Sequence, residues 1–534
     1  MFKIIQRLTT PILRVKNFII KRTKPVKILK EFTAANKASD VLHTFTKQQE
    51  KDIYTFLKIN PLIKIKACFG DVNVLNILKR FTYEEKPLAF VYYEIAVYLA
   101  NSAHHKLAIE LFQQTLKEYP DIMIHSVYLQ ILQFYEGSTN ESLLAAHQEF
   151  NKLYTKKYHI KHLTNTPDKN RKIKVGYLCH FFDNSVSRNC LLPMLKAHDI
   201  NKFEIYCYDD GETGEEVKKI AHKWHDIRGW SDEQVYDLII KDQIDILQEL
   251  NGLVLINRFN VLNMRAAPVQ MNWYNHASTT GLANVDYVVS DRISITDEDK
   301  PYYTEKVYQN DIFIGAVQLE GRFPDHSLTP ACIENKYVTF GCFGASHKYS
   351  QEALRLWAQV MKRVPNSRIF LKSAPFTYEQ YKNSILEVFK DNDIDVSRIY
   401  LEGWSEHSEM LKLYDKIDIM LDTFPTTGGT TTFEALWQGI PVVTLRGNRW
   451  SSRSGASTLT ALGATELIAN DKEEYIQKLT ELANNYSRIE YYRKNLRDMM
   501  RKSPLVDITR FAKDMEKAYI HMWNEWCDSQ NHSS

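Results

Sequence analysis

No CxxC pair occurs anywhere in the 534-residue chain. The seven cysteines, Cys68, Cys179, Cys190, Cys207, Cys332, Cys342 and Cys527, stand singly and far apart. That spacing supplies no zinc ligand set, and an odd, scattered count points to a reducing compartment rather than a disulfide framework. Also missing is any run near the roughly 20 apolar residues that a membrane-spanning helix needs. No uncharged core is followed by a small-residue cleavage site, so the expectation is a cytoplasmic protein. Neither sign of charge dominates: 68 Lys and Arg face 65 Asp and Glu, a net +3. Such a balance gives no global field for a phosphate backbone, and nucleic acid is not an expected partner.

What is present is enough to build cores. Apolar residues make up 44% of the chain and charged residues 25%, with 30 Tyr and 25 Phe, which argues against general disorder. The length exceeds what one core usually supports, so two or three domains are expected. Charge is uneven only at the start. Lys3, Arg7, Arg14, Lys16, Lys21, Arg22, Lys24, Lys27 and Lys30 all precede the first acid, Glu31, with Phe2, Ile4, Ile5, Leu8, Phe18 and Ile19 among them. Residues 1–40 therefore read as a basic amphipathic arm. Residues 1–30 suit peripheral contact with an anionic membrane at its inner face, or with a partner protein. A solvated terminus carrying one packed helix fits the same residues.

Residues 41–165 read as helical, with apolar residues at three and four spacing. Tyr92, Ile95, Ala96, Leu99, Ala108, Phe112, Thr115 and Pro120 fall at the offsets of one tetratricopeptide helix pair, although alanine is usual where Thr115 stands. A plain helical bundle satisfies the same pattern. After the polar linker 164–170 the texture changes to short apolar runs alternating with helices, the mark of a parallel sheet with crossover helices. One α/β unit, 171–330, has strands expected at 173–178, 203–208, 244–250, 269–273 and 287–289. A second, 336–505, has them at 337–343, 368–371, 398–401, 417–421 and 442–445. Residues 506–534 form a last helix and tail, placed to cross back to the first unit. Two tandem units leave a cleft, with ligands expected beyond the carboxyl ends of strands.

Two junctions in the second unit carry chemistry. In the first, a strand ends at Asp422 and leads through Thr423-Phe424-Pro425-Thr426-Thr427-Gly428-Gly429 into the helix opened by Thr430, Thr431 and Thr432. Free amides at a helix N-terminus, with added hydroxyls, suit a diphosphate, which makes Gly428, Gly429, Thr430, Thr431 and Thr432 candidate ligands of one. Glu434, one turn in, suits ribose hydroxyls. A simple capped helix start accounts for the same residues. The second junction, Gly341 to Ser350, sets Lys348 between strand and helix, where its ammonium can meet a leaving diphosphate. Asp391-Asn392-Asp393 matches a metal-holding pair by letters alone; it follows a helix and reads as a turn.

These junctions and their surroundings resemble the O-GlcNAc transferase and SPINDLY family of inverting glycosyltransferases. The resemblance runs over residues 89–525 and includes Lys172 to Leu178, Asn251-Gly252, Arg265 to Gln270, Ser278 to Gly281 with Asp286-Tyr287, Trp357 to Phe370, Asp418 to Gly439, and Ser452-Arg453 with Ala456-Ser457. It implies an α/β fold of GT-B architecture, two Rossmann-like domains preceded by an all-α tetratricopeptide-like region. It also implies a UDP-sugar donor bound by the second unit and a protein acceptor. Lys348 then matches the family lysine on the donor phosphates, Thr430 and Thr431 the threonines on the pyrophosphate, and Glu434 the ribose-binding acid. No metal or other cofactor is implied.

The chain departs from the family pattern in three places. Asn184 or Ser185 stands where the family commonly has a histidine after the first strand. Met410 stands at the family's histidine near the uridine, with His407 close by, and Gly429 replaces a histidine found in some members. An inverting transfer needs a proton acceptor, and the candidates are His276 and His180. The expected activity is transfer of a hexose or N-acetylhexosamine from a UDP-sugar to Ser or Thr of a protein. Asn N-glucosylation, a glycan- or lipid-directed transferase, and a non-catalytic nucleotide-sugar-binding adaptor are the alternatives.

Overall fold

The computed structural model describes residue 93 and residues 96–531, apart from 119, 155–161, 183–186, 212–214, 253–257, 274–275 and 311–314. The basic arm, Tyr92, Ile95, Asn184 and Ser185 lie outside the described residues. Among those described, no helix is long and apolar enough to cross a membrane.

The first sheet contains β1 (Ile173–Cys179), β2 (Phe203–Asp209), β3 (Lys223–Asp226), β4 (Ile246–Glu249), β5 (Val269–Asn272), β6 (Tyr287–Asp291) and β7 (Lys306–Asn310). Its order is β3-β2-β1-β4-β5-β6-β7, and every pairing is parallel. The second contains β8 (Thr339–Cys342), β9 (Arg368–Lys372), β10 (Ile399–Glu402), β11 (Ile419–Leu421), β12 (Val442–Leu445) and β13 (Ile468–Ala469), ordered β10-β9-β8-β11-β12-β13 and again parallel. Central strands such as β4, β8 and β12 are buried along their whole length. Helices cover both faces of such sheets, so even the polar Gln248 and Glu249 of β4 are buried.

Three strands were not expected from the sequence: β3, β7 and β13. The first two read KWHD and KVYQN, polar sequences at the two edges of the first sheet, where one side of the strand meets solvent. The third is two residues long. The other ten strands lie at the expected positions.

The helices that shape the cleft are α1 (His105–Glu118), α2 (Ile122–Phe134), α3 (Asn140–Tyr154), α4 (Gln351–Arg363), α5 (His407–Lys412), α6 (Thr430–Trp437), α7 (Ser454–Leu462) and α8 (Ile508–Asn531). The segment before α1 and α1 itself pack as the helix pair read from the sequence: Ala96, Leu99, Ala108 and Phe112 are all buried. Thr115 is buried too, at the position where alanine is usual. Its hydroxyl is satisfied within the helix by donating to Leu111 O at 2.7 Å. This helical region shares one apolar cluster with Tyr208, Leu247 and Phe259 of the first α/β unit, so it continues that unit's core. On the opposite face of the sheet, Phe511, Met515, Tyr519 and Trp523 of α8 pack with Val175 and Tyr177. The terminal helix does cross back, and the Tyr519 hydroxyl meets Tyr177 Oη at 2.9 Å and accepts from Gln248 Nε2 at 2.6 Å.

Candidate active site

The order of the second sheet reverses between β8 and β11, which places the loops after those two strands side by side at its carboxyl end. A crevice at such a reversal is where open parallel sheets bind ligands. The two loops are the junctions that carry Lys348 and the threonine-glycine run. A cleft of about 570 Å³ opens there, lined by Gly344, Lys348 and Gly428 to Thr431 from the second unit and by Cys190, Trp273, His276 and Ser294 from the first. A third wall comes from α2, through Gln130, Gln133 and Phe134.

Asp422 organises the threonine-glycine loop. Its side chain is buried at the end of β11, where Oδ1 accepts from Gly428 N at 2.6 Å and Thr423 N at 2.9 Å, and Oδ2 accepts from Thr444 Oγ1 at 2.7 Å. Burial raises its pKa, with the Gly428 amide, the Thr444 hydroxyl and the charge of Lys348 opposing. The loop then turns into α6, whose N-cap is Gly429 with no side-chain cap. The amides of Thr430 and Thr431 have no acceptor among the described residues, so the positive end of the helix is presented to the cleft. Helix α7 also starts at the cleft, with Ser454, Ser457 and Thr458 in its lining and no side-chain cap.

Lys348 ends a 3-10 turn, Ser346–Lys348, at the head of α4. Its Nζ donates to Thr427 O at 3.1 Å. Burial lowers its pKa below the ordinary lysine value, and the nearby Asp422 carboxylate opposes that shift. An ammonium so placed gains from any anion that enters the cleft.

The structure does not bring every expected residue to the cavity wall. Thr432 is buried beneath Gly428, where an added Cβ would meet its Oγ1 at 2.3 Å, and it is absent from the lining. Glu434 is buried behind the lining, its Oε1 accepting from His407 Nε2 at 2.8 Å and its Oε2 from Tyr414 Oη at 3.3 Å. The bond to Glu434 raises the His407 pKa, against partial burial. His276 does line the cavity. It is buried, and its Nε2 donates to Thr279 O at 2.9 Å. Burial pushes its pKa down to about 4, so the ring is neutral and Nδ1 is left as its acceptor. His180 is not in the lining; its Nδ1 donates to Asp210 O at 2.8 Å. Asp391 ends a helix, and Asp393 adopts φ +56 in the turn that follows, as expected.

Reading the sequence did not anticipate the part of Asp422 as the anchor of Gly428, nor Ser454, Thr458, Gln130 and Gln133 in the lining. Asp422 carried a signal, an acid at a strand end six residues before the glycine it holds. The α2 residues carried none, since only tertiary packing brings them to the cleft.

Two facing parallel-sheet units with the cavity at the switch point of the second define the GT-B class. The chain belongs to glycosyl transferase family 41, whose model matches residues 136–321 and 330–515. It is 31% identical over 422 residues to a probable UDP-N-acetylglucosamine–peptide N-acetylglucosaminyltransferase SPINDLY of Hordeum vulgare, covering 76% of this chain and 44% of that one. A protein of the same name from Arabidopsis thaliana is 31% identical over 420 residues, covering 75% and 45%. The chain thus spans less than half the length of these curated relatives. Among solved structures, a mutant of the O-GlcNAc transferase of Thermobaculum terrenum superposes with a TM-score of 0.80 at 24% identity, over 95% of this chain and all of that one. That likeness establishes the fold.

Proposed function

We infer that the protein is an inverting, metal-independent glycosyltransferase that moves a hexose or N-acetylhexosamine from a UDP-sugar to a Ser or Thr hydroxyl of a protein acceptor. The observation that carries this reading is the convergence of the Lys348 ammonium with the uncapped amides of Thr430 and Thr431 in one cavity between the two units. The names of the curated relatives support the same donor and acceptor classes.

In this reading the diphosphate lies on the α6 N-terminus and Lys348, and the ribose approaches Glu434. The acceptor oxygen attacks the anomeric carbon as the bond from that carbon to the terminal phosphate oxygen breaks, with inversion, and UDP leaves. Negative charge grows on that phosphate during the step. A fixed cation and oriented amides stabilise it there without reorganising. The hydroxyl proton passes to a base on the acceptor side, for which His276 Nδ1 is the proposed group, or to the departing phosphate.

The test is release of UDP from UDP-glucose or UDP-N-acetylglucosamine in the presence of acceptor protein and excess EDTA. Turnover persisting in chelator supports the reading. Loss that magnesium or manganese restores overturns the metal-independent part, and absence of sugar transfer under all conditions favours a nucleotide-sugar-binding adaptor.

A further inference from the structure

The wall that the helical region contributes plays no part in the reaction as outlined, yet it holds a polar group with nothing to bond. Gln133, the next-to-last residue of α2, lines the transfer cavity. Its amide oxygen accepts from Ser451 Oγ at 3.4 Å. Its amide nitrogen is shielded from solvent and has no acceptor among the described residues. A shielded N–H without an acceptor is a defect in a packed protein unless something else completes it.

The backbone that carries this side chain is held in place from two directions. The main-chain carbonyl of Gln133 accepts from the Thr426 hydroxyl and from Arg449 Nη2, the latter at 3.1 Å. Ser451, which orients the amide, also accepts through its carbonyl from Thr427 N at 2.9 Å and Thr427 Oγ1 at 3.2 Å. The Thr427 carbonyl in turn takes the Lys348 ammonium. Gln133 is therefore joined to Lys348 through two intervening residues and lines the same cavity as the proposed phosphate position. The charge there is already met by an ammonium and by helix amides, to which a neutral carboxamide adds little. A single amide N–H suits a neutral oxygen instead. In a nucleotide diphosphate sugar, the neutral oxygens next to the diphosphate belong to the ribose, which the reading above turns toward Glu434, and to the transferred sugar on the other side.

We propose that Gln133 is a specificity-determining residue that reads the transferred sugar: a turn of its half-buried side chain brings the shielded amide N–H to the cleft, where it donates to a hydroxyl or acyl oxygen of the hexose. The proposal rests on the UDP-sugar reading above, and it makes the helical region part of the donor site. Gln133→Met keeps the length of the side chain and removes the donor, and Gln133→Glu puts a carboxylate in its place. Full-length wild type and both variants are titrated by calorimetry with UDP, UDP-glucose, UDP-galactose and UDP-N-acetylglucosamine, with folding checked by thermal melting. UDP is expected to bind all three proteins alike. The UDP-sugar preferred by the wild type is expected to lose about tenfold in affinity in Gln133→Met, more in Gln133→Glu, and its margin over the other sugars should narrow. If both variants lose no more for UDP-sugars than for UDP, the proposal is overturned and the UDP reading survives. A wild type that binds neither UDP nor any UDP-sugar overturns that reading and the proposal together.

Discussion

Lys348 donates to one carbonyl and forms no ion pair among the described residues, although it is mostly buried. A cation left in that condition is stabilised most by charge that arrives during the reaction. Lys348→Ala should therefore lower kcat by about a hundredfold or more while changing donor Kd little, as removal of a comparable electrostatic donor does elsewhere. Steady-state kinetics beside calorimetric Kd values would show it, and near-normal kcat at saturating donor would refute the leaving-group role. Glu434 should behave in the opposite way, because ribose contacts change little during transfer: Glu434→Ala is expected to raise the donor Kd with a smaller effect on kcat. The same carboxylate controls His407. Its bond raises the His407 pKa, so the charged pair is complete below the unfolded value of about 6.5 and is lost as pH rises through the folded value. His407 is half-exposed, and solvent screens the stability involved. The expectation is an imidazole titration by NMR with a midpoint above 6.5 that returns towards it in Glu434→Gln.

At the scale of the element, the loop from β11 into α6 depends on glycines whose hydrogens face other groups. A Cβ on Gly455, in the first turn of α7, would lie 2.4 Å from Asp422 Oδ2 and 2.5 Å from Thr444 Oγ1. Alanine for glycine in a helix ordinarily gains up to about 1 kcal/mol. Here the gain should be reversed, with Gly455→Ala losing about 1–3 kcal/mol and weakening UDP binding because the Asp422 anchor must shift. Gly344→Ala is the contrast, since its Cβ would meet only ordinary contacts, 3.8 Å from Cys342 Sγ and 3.9 Å from Thr423 Cγ2, and stability should hold. Denaturant melts of the two variants decide the matter. The loop's strand-turn-helix shape was legible in the sequence because strand end, glycines and threonines are contiguous there. Ten strands were legible as short, mostly apolar runs between helices, the half-exposed edge strand β10 among them. Edge strands β3 and β7, with KWHD and KVYQN, carry no such run and were missed. Gln130 and Gln133 were invisible because no local pattern marks where a helix of one region meets the loop of another. His180 and His276 both follow apolar strands, and the structure places only His276 of the two in the cavity wall.

At the scale of the whole molecule, the helical region is fastened to both α/β units. Asn151 Nδ2 donates to Thr280 O of the first at 2.8 Å. Arg449 of the second donates to Ser138 O at 2.8 Å and to the carbonyls of Gln133 and Tyr135 at 3.1 Å each. That guanidinium is buried, and burial lowers its pKa to about 10. Arg449→Met should cost about 1–3 kcal/mol, since it strands the Ser138 carbonyl while Thr426 Oγ1 still serves Gln133 O and Ser138 N still serves Tyr135 O, and should speed amide hydrogen exchange at the end of α2 ahead of global unfolding. Equal exchange in variant and wild type would show that this fastening is dispensable. The two units also meet each other directly, through Arg453 with Asp299 and through Ser457 Oγ donating to Asp291 Oδ2 at 2.9 Å. Three bodies joined pairwise make a triangle, and a triangle, unlike two plates on one pin, has no free angle. Opening the jaws of this molecule therefore means releasing at least one of its three corners, so the passage of any ligand in and out of the cleft is geared to the least durable joint rather than to a loose hinge.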